Sequence, residues 1–172
     1  MEPPTRVAIR ERLERFARES RGAVLWDAER SILYDVFYGK SLPLDLSRVE
    51  GLHERKNAES GHPYLVVVRD DARQIVLAEV GIAFEPLTAS TGSLPDLPQV
   101  VCFRDLANAE GQLRHALVDH PGAEVTGSHL ALFLFCLAIV DGARAVGFDV
   151  SAEERRLEPL LAEIEARRSG GT

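Results

Sequence analysis

The segment from residue 64 to residue 84 constrains the fold more than any other part of the chain. Residues 64–68 and 74–84 are rich in β-branched side chains and are joined by a polar turn that contains two aspartates. Such runs favour strands, and aspartate favours turns because its side chain hydrogen-bonds the local backbone. Residues 64–68 are apolar at successive positions, which is typical of a central strand covered on both faces. We therefore expect a β-hairpin with helices against at least one face.

Four segments have the apolar spacing and the terminal residues of helices. They are predicted over residues 5–20, 105–120, 126–146 and 151–168. The third is apolar around nearly its whole circumference from residue 130 to residue 140, so we expect it at the centre of the packing. Its cap is Thr126 or Ser128, and Gly147 is its predicted end. In the last segment, residues 151–154 form a capping-box pattern, and Pro159 predicts a kink or a restart.

The remaining segments are less regular. Residues 23–38 fit a hairpin with its turn at residues 28–30, although a helix also aligns their apolar positions. Residues 39–62 are polar and contain several glycines and prolines, so we expect a loop, with at most a short helix over about 46–57. Residues 86–98 are predicted to be a loop, and residues 99–103 a short strand.

This order of elements predicts an α+β fold, written α-β-β-β-β-β-α-α-α. Because strands run together and helices are gathered at the end, we expect a mostly antiparallel sheet of about four to five strands packed against helices. A chain of 172 residues supports one domain, which we place over residues 1–168, with a flexible tail over 169–172.

The charge balance restricts the partners. With 27 acidic and 20 basic side chains, the formal net charge is −7. Nucleic-acid binding requires clustered lysine and arginine, which the sequence lacks, so we expect no nucleic-acid partner. The N-terminal residues have no apolar signal stretch, and the longest uninterrupted apolar run has eleven residues, Leu130 to Val140. We therefore expect a cytoplasmic protein without a membrane association.

Histidines and carboxylates provide the only candidates for catalysis or metal binding. His115 and Asp119 lie four residues apart on a predicted helix, and with Asp141 they are the alternative catalytic set of a small hydrolase. His53 and His62 lie among glutamates and are the alternative metal ligands. Each pattern is incomplete, so the leading prediction is no catalytic residue, no metal and no cofactor. Cys136 lies in an apolar run and is expected to be buried and inert.

Two features favour binding. Four aromatic residues, Trp26, Tyr34, Phe37 and Tyr38, fall within thirteen residues of a chain that is only 6% aromatic. Aromatic side chains are typical anchors of protein interfaces, and Tyr34 and Phe37 cannot face the same side of a strand. Arg144, three residues after an aspartate, is expected either to form an ion pair at the rim of the core or to project into an interface.

We therefore predict a non-enzymatic protein-binding, adaptor or regulatory protein whose partner is another protein or a second copy of itself. The alternatives are a small hydrolase and a small-ligand sensor with a site between sheet and helices. The element order is similar to that of small secretion-chaperone-like domains and of bacterial immunity proteins, although no motif carries the similarity.

Overall fold

The computed structural model describes residues 5–87 and 99–169, and these ranges contain four α-helices and seven strands. The helices are α1 (Arg6–Glu19), α2 (Phe103–Leu117), α3 (Gly127–Val146) and α4 (Ser151–Ser169). The strands are β1 (Val24–Asp27), β2 (Ile32–Asp35), β3 (Lys40–Pro43), β4 (Val49–Lys56), β5 (Pro63–Arg69), β6 (Gln74–Ala78) and β7 (Gly81–Phe84). They form two antiparallel sheets, in the orders β1-β2-β3 and β4-β5-β6-β7. The predicted α+β class is confirmed.

The helix ends follow from local chemistry. The hydroxyl of Thr5 caps α1 by accepting from the N–H of Ala8 at 3.2 Å. Thr126 caps α3, and Gly147 ends it in the left-handed conformation, as predicted. The first helix buries one stripe of side chains, as its periodicity indicated; these are Ile9, Leu13 and Phe16.

The last helix differs from its prediction at its start. It runs as one helix through Pro159, so of the two predicted outcomes it does not restart there. The helix start is held by Asp149, which accepts from the N–H of Ser151 at 3.0 Å, rather than by the predicted capping box. Residues 170–172 of the predicted tail lie outside the described residues.

The prediction that residues 39–62 form a loop is wrong. This segment contains β3, a single 3-10 turn over Leu46–Arg48, and the eight residues of β4. Strand β4 lies at the edge of its sheet and exposes every side chain from residue 53 to residue 56. An edge strand of this kind is polar, so its sequence resembles a solvated loop, and only its pairing with β5 makes it a strand.

The prediction of a strand over residues 99–103 is also wrong. Val101 forms one isolated bridge with Phe84, and α2 begins at Phe103. The carboxylate of Asp105 accepts from the N–H of Cys102 at 2.8 Å, which starts the helix two residues earlier than expected. Of the loop predicted over residues 86–98, residues 88–98 lie outside the described residues.

The run predicted as one strand over 74–84 is two strands, β6 and β7, joined by a tight turn. Asp35, at the end of β2, links β7 to the first sheet. Its buried carboxylate accepts from the N–H of Ile82 at 3.0 Å and from the N–H of Tyr38 at 3.2 Å. Burial raises the pKa of the Asp35 carboxyl, and these backbone hydrogen bonds oppose the rise.

Lys40 of β3 connects the same face of the first sheet to the helices. Its ammonium forms an ion pair with Glu153 of α4, which is buried, and donates to the carbonyl of Asp149 at 3.0 Å. It also lies 5.2 Å from the ring centroid of Phe103 in α2. The face of the first sheet that carries Asp35 and Lys40 is therefore the one that faces the core.

Helix α3 is less completely buried than its composition predicted. Its buried side chains lie mostly in the C-terminal half, whereas Leu134 in the N-terminal half is exposed. The segment before residue 88 crosses α3 closely, since the N–H of Leu87 donates to the carbonyl of Ala138 at 3.0 Å. A Cβ atom on Gly142 would lie 2.9 Å from Cα of Pro86, so this crossing requires glycine.

Candidate functional site

The first sheet has one face toward the core and one toward solvent. Leu25 of β1 pairs with Tyr34 of β2, and side chains alternate between faces along each strand. Leu25 and Tyr34 therefore lie on the face opposite Asp35. The backbone pairing continues to Val36, whose N–H donates to the carbonyl of Ala23 at 3.1 Å, so Val36 shares the face of Leu25. We call the surface formed by Leu25, Ile32, Tyr34, Val36 and Pro43 the outer face.

The outer face is exposed and largely apolar, although Asp27, opposite Ile32, and Ser41, opposite Tyr34, lie on the same side of the sheet. Leu25 is 50% exposed, Val36 49%, and Phe37, at the tip of the β2–β3 hairpin beside this face, 64%. An antiparallel sheet with one solvated face usually places polar side chains there. An exposed apolar patch of this kind marks an interaction surface more often than a scattered apolar residue does.

The four aromatic residues of the predicted binding cluster do not form one patch. Tyr34 is half-buried on the outer face, whereas Phe37 lies in the turn after β2 and is exposed, so the two side chains do not belong to one strand. Trp26 lies on the opposite face of β1, packed at the rim of the core. Tyr38 also packs against the core, and burial raises the pKa of its phenol.

Strand β1 has an open edge, because within residues 5–87 and 99–169 it pairs only with β2. In an antiparallel pair, the backbone groups of alternate residues face the partner strand. Since Ala23 accepts from Val36, the residues of β1 that bond to β2 are Leu25 and Asp27, and those that face the open side are Val24 and Trp26.

One of these two residues, Val24, already has a hydrogen-bond partner for its backbone. The hydroxyl of Ser20, at the end of α1, accepts from the N–H of Val24 at 3.4 Å and donates to its carbonyl at 3.2 Å. The backbone groups of Trp26 have no such partner among the described residues. The indole N–H of Trp26 is buried and also has no acceptor there. An unpaired buried donor is uncommon in a folded protein.

A cavity of about 740 Å³ runs along this open edge, between β1 and α1. Trp26 from one face of the sheet and Leu25 and Tyr34 from the other all line it. A cavity can reach both faces of a sheet only where it passes around an edge. On the other side it is bounded by Ala17 of α1 and by its charged neighbours. We call this cavity the edge groove.

The rim of the edge groove is acidic. Three carboxylates, those of Glu14, Asp27 and Glu29, and one guanidinium, that of Arg18, line it. Arg30 approaches Asp27 to 3.9 Å but is itself largely exposed, so this pair is weak. The electrostatic potential of the groove therefore favours a cationic ligand.

Arg144 does not belong to this surface. Its guanidinium pairs with Asp141, one turn earlier on α3, at 2.7 Å, and with Glu154 on α4. Of the two readings considered for Arg144, the structure favours the ion pair at the rim of the core.

The alternative catalytic residues do not converge. Nδ1 of His115 lies 3.4 Å from Oδ2 of Asp119, and both side chains are exposed to more than half of their area. The rings of Phe103 and Phe148 are 5.0 Å apart, which places the start of α2 beside the end of α3. His115 lies about 18 Å further along α2, whereas Asp141 lies near that end of α3. The pair therefore lies at the C-terminal end of α2, and among the described residues Asp141 forms no close group with it.

The alternative metal ligands are also separate. His62 pairs through Nδ1 with Glu79 at 3.1 Å, and its carbonyl accepts from Asn57, four residues along β4 from His53. The two histidines are therefore about 13 Å apart along the strand. Among the described residues, no group of three potential ligands is close enough to hold a metal ion.

Both cysteines are buried thiols. Burial raises the pKa of Cys136 to about 12, and the charge of Glu110 adds to the shift. Burial also raises the pKa of Cys102. Neither environment stabilises a nucleophilic thiolate.

The aromatic count did not indicate the aliphatic part of the site. Leu25 and Val36 lie on the outer face, and Ala17 lines the edge groove from a helix that the sequence analysis treated only as core packing. The predicted turn at residues 28–30 would place Leu25 opposite Leu33. The observed turn spans residues 28–31 and places Leu25 opposite Tyr34, so the predicted hairpin did not reveal this face.

By length and composition, one helix within the described ranges, α3, is long and apolar enough to cross a membrane, and 44% of its most apolar window is buried inside the fold. The buried helix of a compact domain meets the same criterion. Comparisons of this chain with protein-family models, with curated proteins and with solved structures found no match.

Proposed function

We propose that this chain is a non-enzymatic protein-binding protein, adaptor or regulator, that acts through the outer face and the adjoining hairpin tip. The observation that carries the proposal is the exposure of Leu25 and Val36 on the outer face and of Phe37 at the adjoining hairpin tip. Leaving these side chains in water forgoes hydrophobic stabilisation, which a partner surface would recover. The partner is another protein or a second copy of this chain.

The surroundings of this surface support the same function. Aromatic side chains in a partly desolvated setting are frequent energetic centres of interfaces, and Tyr34 has such a setting. The net charge of −7 opposes binding to nucleic acid. His115 and Asp119 lie at the end of α2, whereas Asp141 lies in α3 and pairs with Arg144, and this arrangement gives no support to the hydrolase alternative.

The test is site-specific photo-crosslinking in the cells from which the gene comes. A photoreactive phenylalanine derivative replaces Phe37, and in a matched control it replaces Val118, which is similarly exposed beyond the end of α2. We expect a discrete crosslinked protein, or a crosslinked dimer, from position 37 and not from position 118. Equal crosslinking from both positions, or none from position 37, would refute the proposal.

A second set of variants tests whether the apolar face is required. Leu25→Ser and Val36→Ser change exposed side chains, so each is expected to alter stability by no more than about 0.5 kcal/mol. The double variant, with the crosslinker at position 37, should lose the crosslink while its circular dichroism stays unchanged. Native mass spectrometry of the same samples shows whether the captured partner is a second copy.

A further inference from the structure

We infer that an extended segment of a partner protein, with apolar side chains at its centre and lysine or arginine beside them, pairs with the open edge of β1 as a fourth strand of the first sheet. This inference rests on the proposed function and specifies the chemistry of the partner. It is carried by the backbone pairing, the lining of the edge groove and the charge of its rim.

The backbone defines where pairing can occur. Val24 is obstructed for an incoming strand by Ser20, whose hydroxyl accepts from its N–H at 3.4 Å and lies 3.2 Å from its carbonyl, its single proton being shared with the carbonyl of Ala17 at 2.9 Å. Trp26 presents both of its backbone groups toward the groove side, without partners in the described part of the chain. One residue of an added strand can exchange two hydrogen bonds with Trp26, and this sets the register of the complex.

The groove defines the side chains of the added strand. Consecutive residues of a strand point to opposite faces. One side chain would therefore pack near Trp26 and Ala17, and the next near Leu25 and Tyr34, which all line the same cavity. Because both sides are apolar, two successive apolar residues fit the centre of the segment. The added chain also brings carbonyl groups to the region where the buried indole N–H of Trp26 has no acceptor.

The rim defines the charge of the segment. Three carboxylates against one guanidinium attract a cationic chain and repel an acidic one. A second copy of this chain pairing edge to edge would bring the same acidic rim against itself, so we assign the groove to a different protein. The outer face remains available to either kind of partner.

The experiment uses a phage-displayed library of random octapeptides, free of tryptophan, selected against the full chain. Trp26 is the only tryptophan, so its fluorescence reports occupancy of the groove directly. We expect the selected peptides to contain adjacent aliphatic residues flanked by lysine or arginine, and to shift the Trp26 emission saturably. Selection of acidic peptides, or of peptides that leave the Trp26 emission unchanged, would overturn the inference.

Two pairs of variants locate the binding. Ala17→Gln narrows the groove, and Ala107→Gln adds the same side chain on an exposed position of α2. We expect the first to weaken the selected peptides at least tenfold and the second to leave them unchanged. A second pair is used in case Ala17→Gln disturbs folding. Glu29→Lys at the rim should also weaken peptide binding at least tenfold, and Glu165→Lys on α4 should leave it unchanged. Equal affinity for both members of the pairs would place the peptides elsewhere.

Backbone pairing is tested on the peptide. Two N-methylated forms of each peptide are made, one methylated at the odd residues and one at the even residues; we call these the two phases. Each phase lacks the amide hydrogens on one side of the strand. One phase should bind at least tenfold more weakly than the other, whereas equal binding by both phases would exclude strand addition. Crosslinking from position 37 does not depend on strand pairing, so a positive crosslink with equal binding by both phases rejects this inference and retains the proposed function.

Discussion

Replacing Gly81 by alanine is expected to cost about 2.5–5 kcal/mol of folding stability, because this residue touches the carboxylate that joins the two sheets. Its φ is +107°, and a Cβ atom there would lie 2.7 Å from Cγ and 2.8 Å from Oδ1 of Asp35. The backbone conformation alone costs about 1–2 kcal/mol for a residue with a Cβ. Moving the carboxylate weakens its hydrogen bond from Ile82, which adds about 1.5–3 kcal/mol for a bond to a charged acceptor.

The matched control is Gly22→Ala. Gly22 also has a positive φ, +82°, but a Cβ atom there would meet nothing within 4 Å. This variant should lose only the conformational part, about 1–2 kcal/mol. The assay is urea unfolding at 25 °C, followed by circular dichroism, with the free energy extrapolated to water.

A double-mutant cycle separates the contact from the strain. In the background of Asp35→Ala the carboxylate is absent, so Gly81→Ala should cost no more there than Gly22→Ala does in the native chain. If Gly81→Ala costs the same in both backgrounds, the contact with Asp35 does not explain its effect. If the double variant is unfolded, the test is whether Gly81→Ala loses more free energy of unfolding than Gly22→Ala does. Equal losses for the two single variants would refute the reasoning.

Two further predictions concern stability. Gly142→Ala should destabilise the chain by about 2–4 kcal/mol, because its Cβ would press against the backbone after β7. Gly111→Ala, on the open surface of α2, should stabilise the chain by about 0.5–1 kcal/mol. If urea unfolding shows that both variants lose a similar free energy of unfolding, this prediction is wrong. Hydrogen bonds from Ser151 lower the pKa of Asp149 below 3.8, so the stabilisation by this carboxylate should be complete above pH 3.8 and be lost as the pH falls through its lowered value. Asp149→Asn should therefore have a lower Tm than the native chain at pH 7 and the same Tm at about pH 2, and a Tm difference independent of pH would contradict the assignment.

The helices could be predicted because their determinants are close together in the sequence. The stripe of α1 recurs every three to four residues, and Thr126 and Gly147 mark the ends of α3 by chemistry that acts within one turn. For α1 and α3 local propensity and final structure agree. The hairpin of β1 and β2 also falls within one short segment, but its turn spans residues 28–31, one more than predicted, and its second strand ends at Asp35.

Pairing between distant segments decided the rest. Strand β4 exposes four consecutive side chains, so its sequence carries no alternation, and it exists because β5 supplies its hydrogen bonds. Residues 99–103 include two β-branched side chains, but within the described ranges only Val101 forms a bridge, and no other strand pairs with this segment. Strand propensity is a weak signal for this reason.

For the candidate site, the sequence alone determined that aromatic side chains are concentrated near β1 and β2 and that they cannot all share one face. Only the tertiary structure decided which face is exposed, because that depends on which side Lys40 binds to the helices. It also decided that β1 is an edge and that Ser20 closes one of its two open positions. Faces and edges are properties of strand order and packing, and these arise from contacts between residues that are far apart in the chain.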